Sequence, residues 1–307
     1  MTTNKIKRKG DIGELIFYIS IIALPLLQVL IFYFYVNFNS ITMSFKTYDT
    51  LKDQFVWDSN GVNFTRFWTE LTKTSIIWDA LKNSFVVWFY TSVLGTFLAV
   101  LFSYYIYKKW IFGKVFKFFL FLPSVLPSIL LVIVFKFFAN EAIPGYMYEF
   151  FGENVNPLLR PGGNMLMPTI LFYNVWICFG SQLLIYTGAM DQIPPEIIEA
   201  GKVDGVTPMV EFFSIVVPMI LPTISTFVVA NIATLFTNQA NLYAFFGDSN
   251  NVDYSNFTIG YYLFDLVNKA GNGKSMYTYA STLGVICTFI AFPLTLLARR
   301  LLNREDE

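Results

Sequence analysis

The chain has 307 residues, of which 55% are hydrophobic, 19% aromatic and only 14% charged. Soluble domains carry about a quarter charged residues, so this composition excludes an ordinary soluble domain and indicates a protein surrounded by membrane lipid. The 21 basic and 21 acidic side chains cancel, which argues against nucleic acid as a partner, because nucleic-acid-binding proteins present a basic surface.

Six apolar runs are long enough to cross a bilayer as helices. A hydrocarbon core of about 30 Å requires roughly 20 helical residues. The runs are about Leu15–Phe38, Asn83–Tyr107, Phe116–Phe138, Met167–Ala189, Ile215–Ala240 and Ser281–Leu302. They predict an all-α membrane protein with one transmembrane domain over residues 15–307, preceded by a short N-terminal segment, residues 1–14. The first run is too long for a signal peptide and lacks a small-residue cleavage site, so we expect it to be a retained span.

Three clusters of basic residues predict the orientation of these spans. The clusters are Lys5, Lys7, Arg8 and Lys9, then Lys108, Lys109, Lys114 and Lys117, then Arg299, Arg300 and Arg304. Basic residues in short loops stay on the cytoplasmic side. All three clusters meet this rule if both termini are cytoplasmic. The charged segment between the fourth and fifth runs then lies on the cytoplasmic side of a bacterial-type plasma membrane.

Small residues and prolines predict how the spans pack and bend. Gly95, Ala99 and Ser103 recur every four residues in the second run, which indicates a face that another membrane helix approaches closely. Prolines occur in pairs in the third and fifth runs, at Pro123 and Pro127 and at Pro218 and Pro222. We expect kinks there. Before the last run, residues near Thr258–Val267 predict a short amphipathic helix.

Polar side chains inside the fourth and fifth runs are candidates for a substrate pathway. They are Asn174, Trp176 and Gln182 in the fourth run and Asn231, Thr234, Asn238 and Asn241 in or beside the fifth. The spacing of Asn231, Thr234 and Asn238 places them on one face of a continuous helix. Such a face meets either a wet cavity or a partner helix, and we favour the cavity. Amides and aromatic rings suit a neutral polyhydroxylated solute, because amides bond to hydroxyl groups and rings cover sugar faces.

Acidic residues are absent from all six runs. Proton-driven carriers usually hold an ionisable group near the middle of the membrane, so its absence argues against proton coupling. Sodium coupling through backbone carbonyl groups stays open. An ion-coupled carrier is therefore a less favoured alternative.

The segment of about residues 193–213, which we call the charged hairpin, predicts two short helices. Pro194 and Pro195 suit a helix start, because proline has a fixed φ and no N–H group. Gly205 suits a left-handed cap at the helix end. Thr207 and Pro208 then fit the N-cap and first residue of a second helix.

A helix of about ten residues is marginal by itself in water, so the charged hairpin needs a surface to pack against. We expect Ala200 and Gly201 to form a thin side that enters a groove, with Ile197, Ile198 and Val203 as apolar contacts. Helices that lie on lipid favour basic polar faces, whereas this helix is mainly acidic. A protein partner is therefore favoured over the lipid surface.

The charged hairpin resembles the EAA loop of ABC importer permeases. Glu199-Ala200-Gly201 is followed by Asp204-Gly205 and, after nine intervening residues, by Ile215-Val216-Val217-Pro218. The third position, usually alanine, is Gly201. With Ile193-Pro194-Pro195-Glu196 in front, the string is similar to the carbohydrate-uptake, maltose-type branch. A softer match is Ala80-Leu81-Lys82-Asn83-Ser84 before the second run.

The resemblance implies a six-helix permease that pairs with a second, homologous permease. Two cytoplasmic ATPase subunits would receive the hairpins, and an extracellular solute-binding protein would deliver a carbohydrate substrate. The implied ATPase-coupling residues are Glu199, Ala200, Gly201, Asp204 and Gly205. An importer of another solute, such as a peptide or a polyol phosphate, is the alternative within this class.

The residue types of enzyme and metal sites are scarce. The chain has no histidine, the commonest general base and metal ligand. Cys178 and Cys287 lie in apolar runs and are expected to be buried and reduced. Residues 268–275 resemble a phosphate-binding loop but have Asn268 in place of its first glycine and no preceding strand. We therefore expect no catalytic site, metal or cofactor in this chain, and an integral membrane enzyme is disfavoured.

Overall fold

The computed structural model describes residues 12–247, 252–269 and 273–302, and this part of the chain is almost entirely helical. Four long apolar helices could cross a membrane: Ile16–Met43, Ile76–Tyr107, Ser128–Phe151 and Ser275–Leu302. Two bent pairs, Leu166–Cys178 with Gly180–Met190 and Pro208–Met219 with Leu221–Ala233, raise the number to six if each pair is one span. The all-α membrane architecture is confirmed. The six spans and the cytoplasmic termini stay predictions, and Lys5, Lys7, Arg8, Lys9 and Arg304 lie outside the described residues.

In chain order we call these elements the first to sixth long helices, the bent pairs being the fourth and fifth. The helical bounds within them are Ile12–Gln28, Val29–Tyr35 and Val36–Met43; Ile76–Phe89, Tyr90–Gly95 and Thr96–Tyr107; Ser128–Phe137, Phe138–Ala142 and Ile143–Phe151; Leu166–Met190; Pro208–Glu211, Phe212–Val216, Val217–Met219 and Leu221–Ala233; and Ser275–Leu302. Val29–Tyr35, Tyr90–Gly95, Phe138–Ala142 and Phe212–Val216 are π-helical. Such wider turns loosen the regular hydrogen-bond ladder inside otherwise continuous helices.

Shorter elements connect the long helices. They are the strands β1 (Lys46–Asp49) and β2 (Gln54–Trp57), the helices Val62–Lys73, Gly113–Val125, Pro195–Val203, Leu242–Phe246 and Ile259–Lys269, and the 3-10 turn Tyr254–Asn256. The strands form an antiparallel ribbon in which Lys46 is opposite Trp57. The amphipathic helix expected near Thr258–Val267 is confirmed as Ile259–Lys269.

The third apolar run is not the single helix predicted over residues 116–138. A helix ends at Val125, Leu126 is extended with ψ 145°, and a new helix runs from Ser128 to Phe151. The residue before a proline is driven out of the helical region, so Pro127 enforces the break. Pro123 lies inside the preceding helix. Pro144 and Gly145 form a pair typical of turns, and the sequence predicts a turn there, but both residues belong to the helical stretch that ends at Phe151.

The fifth run begins earlier and ends earlier than predicted. Its helix starts at Pro208, bends by 68° at Ile220 and stops at Ala233 rather than residue 240. Prolines at both sides of the bend remove backbone donors there, which explains the break. Beyond Ala233 the chain is irregular, and Ala240 and Asn241 have positive φ.

The small-residue face of the second long helix packs as predicted. Ala99 and Ser103 are fully buried, and Ser103 Oγ donates a hydrogen bond to Leu183 O over 3.2 Å. A Cβ at Gly95 would lie 2.7 Å from Cys178 Sγ, so a larger residue would have to displace the Cys178 side chain on the fourth long helix. Cys178 and Cys287 are free thiols; Cys287 is buried as predicted, whereas Cys178 is only partly buried.

Two buried clusters stabilise opposite ends of the helix bundle. One surrounds Tyr104, Tyr186 and Phe212 beside the charged hairpin, at the end that we call the hairpin end. The other contains Tyr173, Phe245, Tyr261 and Tyr279 at what we call the far end. The first long helix lies outside both: none of the residues in its apolar window is buried, as expected for a helix that faces lipid or another chain.

Candidate functional site

The first helix of the charged hairpin has the predicted start and end. It runs from Pro195 to Val203, and Gly205 adopts a left-handed φ of 75°. The Gly205 N–H donates to Lys202 O over 3.1 Å, and the Val206 N–H donates to Gly201 O over 2.9 Å. This pair of bonds is the Schellman arrangement, which satisfies carbonyl groups at a helix end and turns the chain sharply.

The second helix of the charged hairpin also starts as predicted. Thr207 is extended with ψ 156°, and Pro208 is the first helical residue. The Thr207 carbonyl accepts from the Glu211 N–H over 2.8 Å, whereas its side chain makes no capping bond. This helix is the first part of the fifth long helix, so the charged hairpin is connected directly to a span.

The two faces of the helix Pro195–Val203 differ strongly in exposure. Glu199, Ala200 and Asp204 are exposed, and Val203 keeps 88% of its surface accessible. Gly205 is exposed as well. An acidic surface with two exposed apolar side chains, Ile197 and Val203, is therefore available for contact with another protein.

Gly201 does not lie on the exposed face, contrary to the expected thin side. It is buried, and a Cβ there would lie 3.0 Å from Ile215 Cδ1 and 3.8 Å from Val206 Cγ2. Ile198, expected to contact a partner, is buried as well. The absent methyl group at position 201 thus lets this helix pack tightly on its own chain, and only Ala200 is small on the outer side.

Apolar contacts fix the inner face of the charged hairpin to the spans. Ile193, Ile198 and Phe212 join the hairpin-end cluster with Tyr104 and Tyr186. The rings of Tyr104 and Phe212 lie 5.0 Å apart. The packing couples the position of the hairpin to the second, fourth and fifth long helices.

A largely buried ion pair between Lys108 and Glu211 also holds the charged hairpin to the spans, and the sequence does not predict it. Lys108 Nζ lies 2.8 Å from Glu211 Oε1 and 2.9 Å from Oε2, and the two side chains keep only 16% and 5% of their exposure. The Tyr104 hydroxyl lies 3.0 Å from Pro208 O and 3.2 Å from Glu211 Oε1 and can donate to either. The sequence alone identifies Lys108 only as part of a basic cluster. Its partner is 103 residues away, so no pattern in the neighbouring sequence indicates the pair.

Asn174 and Asn241, both pathway candidates, contact each other. Asn174 Nδ2 donates to Ile170 O over 2.8 Å and to Ala240 O over 3.0 Å, and Asn241 Nδ2 donates to Asn174 Oδ1 over 2.8 Å. Asn174 is buried. These bonds hold the strained turn at Ala240 and Asn241 against the fourth long helix.

Asn231, Thr234 and Asn238 do not share one helical face, because the helix ends at Ala233. Asn231 Nδ2 lies 3.3 Å from Ser92 Oγ on the second long helix. Thr234 is exposed and donates to carbonyl groups of its own helix. Asn238 Oδ1 accepts from the Ala240 N–H over 2.8 Å. Each residue keeps some exposure, and their assignment to the pathway stays a prediction.

Gln182 and Trp176 lie on the fourth long helix. Gln182 is 7% exposed, and its Oε1 accepts no hydrogen bond from the part of the chain that the structure describes. Trp176 stacks on Phe135 with ring centres 6.2 Å apart. It also borders a cavity of about 360 Å³, which is otherwise lined by Phe116, Phe119, Leu120, Leu122, Pro123, Leu126 and Leu131.

The softer motif match before the second run has a clear structural role. Asn83 Nδ2 donates to Ser255 O over 2.7 Å and to Phe257 O over 2.9 Å. Ser84 Oγ accepts from the Ile259 N–H over 2.8 Å and so caps the helix Ile259–Lys269. The second long helix is therefore bonded to other elements at both of its ends.

A second charged cluster lies at the far end. Glu70 accepts from Arg66 Nε over 2.8 Å, from the Tyr262 hydroxyl over 2.9 Å and from the Tyr279 hydroxyl over 2.5 Å. Burial, followed by the charge and hydrogen bond of Glu70, raises the pKa of Tyr262, so its hydroxyl stays protonated and donates. Three side chains of the protein donate to the Glu70 carboxylate, which indicates a structural role.

The loop that resembles a phosphate-binding loop falls partly on residues 270–272, outside the described residues. Lys274, which would be its phosphate-binding lysine, forms an exposed ion pair with Asp53 over 2.8 Å. Within the described ranges, no three residues of the metal-binding types come together.

Comparison with known proteins relates this architecture to membrane transport. Residues 91–304 match the family described as binding-protein-dependent transport system inner membrane component. The maltose/maltodextrin transport system permease protein MalF of Escherichia coli K12 is 26% identical over 185 residues, which are 57% of this chain and 35% of that protein. The same protein of Vibrio parahaemolyticus is 25% identical over 197 residues, 62% of this chain and 36% of that protein. The chain thus spans about a third of the length of these relatives.

Two solved structures have a similar fold over nearly the whole chain. One is a bacterial alginate ABC transporter in complex with alginate pentasaccharide-bound periplasmic protein, with a TM-score of 0.74 and 18% identity over 94% of each chain. The other is a bacterial ABC transporter involved in the import of the acidic polysaccharide alginate, with a TM-score of 0.72 and 19% identity over 94% of this chain and 96% of that chain.

Proposed function

The chain belongs to the family of binding-protein-dependent transport system inner membrane components, and on that premise we propose that it forms half of the translocation pathway of an ATP-driven importer. It is a multi-pass protein of the plasma membrane. The proposed solute is a carbohydrate, an oligosaccharide in particular. The relatives named for maltose and maltodextrin transport support this solute class, as does the likeness in fold to alginate transporters.

The charged hairpin carries the proposal. One face of its first helix is buried on the spans, whereas Glu199, Ala200 and Asp204 remain exposed on the other. We assign that exposed face to the groove of a cytoplasmic ATPase subunit. A helix that is bonded to a span and docks in a moving partner carries the movement of the partner into the membrane.

This role requires an assembly with four further protein subunits in membrane lipid. The subunits are a second homologous permease, two ATPase subunits and an extracellular solute-binding protein. Binding of ATP and of the loaded binding protein would each favour one of the inward-open and outward-open states. ATP hydrolysis takes place on the separate subunits, so this chain is a transport component and not itself an enzyme.

The polar residues of the fourth and fifth long helices are the proposed pathway positions. Gln182 has an unused acceptor, and Asn231, Thr234 and Asn238 retain exposure on the described chain. Asn174, Asn241 and Trp176 are engaged within the chain and would shape the pathway from behind. An amide oxygen without a partner at Gln182 and partly exposed amide and hydroxyl groups at the other three positions suit a solute rich in hydroxyl groups.

The test is ATP-dependent uptake by the complete transporter, purified with its partner subunits and reconstituted in vesicles. The probes are labelled neutral and acidic di- to pentasaccharides, together with labelled dipeptides and polyol phosphates as alternative solutes. We expect uptake of a saccharide that depends on ATP. Glu199→Lys should reduce it at least about tenfold, because a reversed charge opposes docking.

Asp191→Lys is the matched control. It reverses an exposed acidic residue just before the charged hairpin, at a helix C-terminus where a cation is tolerated well. Uptake by this variant should stay near the native rate. Normal uptake by Glu199→Lys would contradict the docking proposal, and uptake of a non-saccharide alone would contradict the substrate class.

A further inference from the structure

The ion pair of Lys108 and Glu211 joins two elements that the charged hairpin must move together. Lys108 follows directly on the last residue of the second long helix, and Glu211 is the last residue of Pro208–Glu211, the first segment of the fifth long helix. Both charges are almost removed from solvent, and both carboxylate oxygens of Glu211 contact the same ammonium group. Such a pair has one well-defined geometry, unlike an exposed pair that exchanges freely with water.

Four further contacts, all made by Tyr104, restrict the same joint. The Tyr104 hydroxyl lies within hydrogen-bond distance of Pro208 O and of Glu211 Oε1. The Tyr104 ring packs on Phe212, and Lys108 Nζ lies 5.9 Å from the centre of the same ring. Tyr104 and Lys108 are one helical turn apart and therefore lie on the same face of the second long helix. That face contacts Pro208, Glu211 and Phe212 of the fifth long helix.

The second long helix can carry a displacement away from this joint. Its far end is bonded through Asn83 and Ser84 to the segment 255–259. Its middle packs against the fourth long helix through Gly95, Ala99 and Ser103. A helix held in this way moves as a unit, because bending it costs close-packed contacts along its length.

We infer that Lys108 and Tyr104 are positioning residues that hold Glu211 and thereby carry the displacement of the charged hairpin into the second long helix. This inference rests on the proposed function, since an ATPase partner must first move the hairpin. It adds a second route beside the direct continuation of the hairpin into the fifth long helix. The two routes together rotate or shift two spans with one docking event.

The experiment uses the complete transporter, purified with its partner subunits, in a background with Cys178→Ala and Cys287→Ala. A reporter, Thr234→Cys, is labelled with a membrane-impermeant maleimide with and without ATP plus vanadate. ATP hydrolysis is measured on the same samples. With the ion pair intact, we expect nucleotide to change the labelling rate about tenfold, in the range of ordinary coupling between sites.

Glu211→Gln and Lys108→Met should each reduce this change to about twofold or less, while ATP hydrolysis continues. The charge-exchanged pair Lys108→Glu with Glu211→Lys should restore most of it, and Lys108→Arg should retain it. Lys274→Met is the matched control, because it removes an ion pair of the same 2.8 Å length that is exposed and lies elsewhere. It should leave both measurements unchanged.

Three results would overturn the inference. The first is a full nucleotide response in Glu211→Gln. The second is a parallel loss of hydrolysis and labelling that charge exchange does not restore, which would assign the pair to structural support alone. The third is a lack of response in the native complex together with normal behaviour of Glu199→Lys, which would remove the proposed ATPase coupling and this inference with it.

Discussion

Gly260 shows what a single missing side chain permits. The residue is buried in the second position of the helix Ile259–Lys269, and the irregular segment after Ala233 crosses directly over it. A Cβ at this position would lie 2.6 Å from Thr237 O and 2.7 Å from Asn238 O. Both obstacles are backbone atoms, so a larger residue would have to displace the chain that carries Asn238.

We predict that Gly260→Ala destabilises the protein by about 1–3 kcal/mol or more, the usual cost of overpacking a close-packed interior. Thermal unfolding of the purified protein in detergent measures this. Gly284→Ala is the control, because nothing lies within 4 Å of its added Cβ and the residue is inside a helix. That variant should be as stable as the native protein or slightly more stable. Equal stability of both variants would refute the close approach.

Sequence signals at single residues predicted local geometry well and distant contacts poorly. Pro195 and Gly205 impose their own backbone conformations, so the limits of the hairpin helix followed from them directly. The burial of Gly201 depends on Ile215, and the pairing of Glu211 depends on Lys108. These contacts form only when separate helices pack, so the periodicity of apolar residues within one helix does not predict them.

The fifth long helix shows which features of a single element the pattern of apolar residues can predict. Its existence was evident from composition, whereas its bend at Ile220 and its end at Ala233 were not. Proline pairs marked a kink without fixing its angle. The polar residues at 234 and 238 fitted a helical spacing, yet the chain there turns back to meet Gly260 and Asn174. Tertiary contacts therefore replaced the helix that the local pattern favoured.

Substitution of the amides in this region tests whether the element contacts the solute. We predict that Asn231→Leu with Asn238→Leu raises the oligosaccharide concentration for half-maximal uptake about tenfold, because hydrogen bonds to the solute are lost. Co-purification with the partner subunits should be unchanged. Thr226→Leu, an exposed position on the same helix, is the control. Unchanged uptake by the double variant would assign these amides to helix packing.

At the scale of the whole molecule, orientation follows from charge rather than from packing. The basic clusters predict that the hairpin end lies in the cytoplasm and that the strand ribbon with the helix Val62–Lys73 lies outside. The fold by itself is compatible with either orientation in the membrane, since the contacts between the helices are the same in both. The proposed direction of transport, from outside to inside, therefore depends on the distribution of these basic residues.

Cysteine labelling tests this orientation directly. In a background with Cys178→Ala and Cys287→Ala, Lys109→Cys should react with a membrane-impermeant maleimide only after cells are opened. Leu51→Cys, at a position 96% exposed between the two strands, should react in intact cells. The opposite pattern would invert the topology and with it the cytoplasmic placement of the charged hairpin.

The attachment of the second long helix at both ends has an evolutionary consequence. Asn83 and Lys108 are separated by 25 residues, or about 38 Å of helix, yet each fixes the register of the same element. A substitution that shifts one anchor changes the demand on the other. We therefore expect substitutions at Asn83 and Lys108 to be correlated among related proteins, although the two residues lie at opposite ends of the helix.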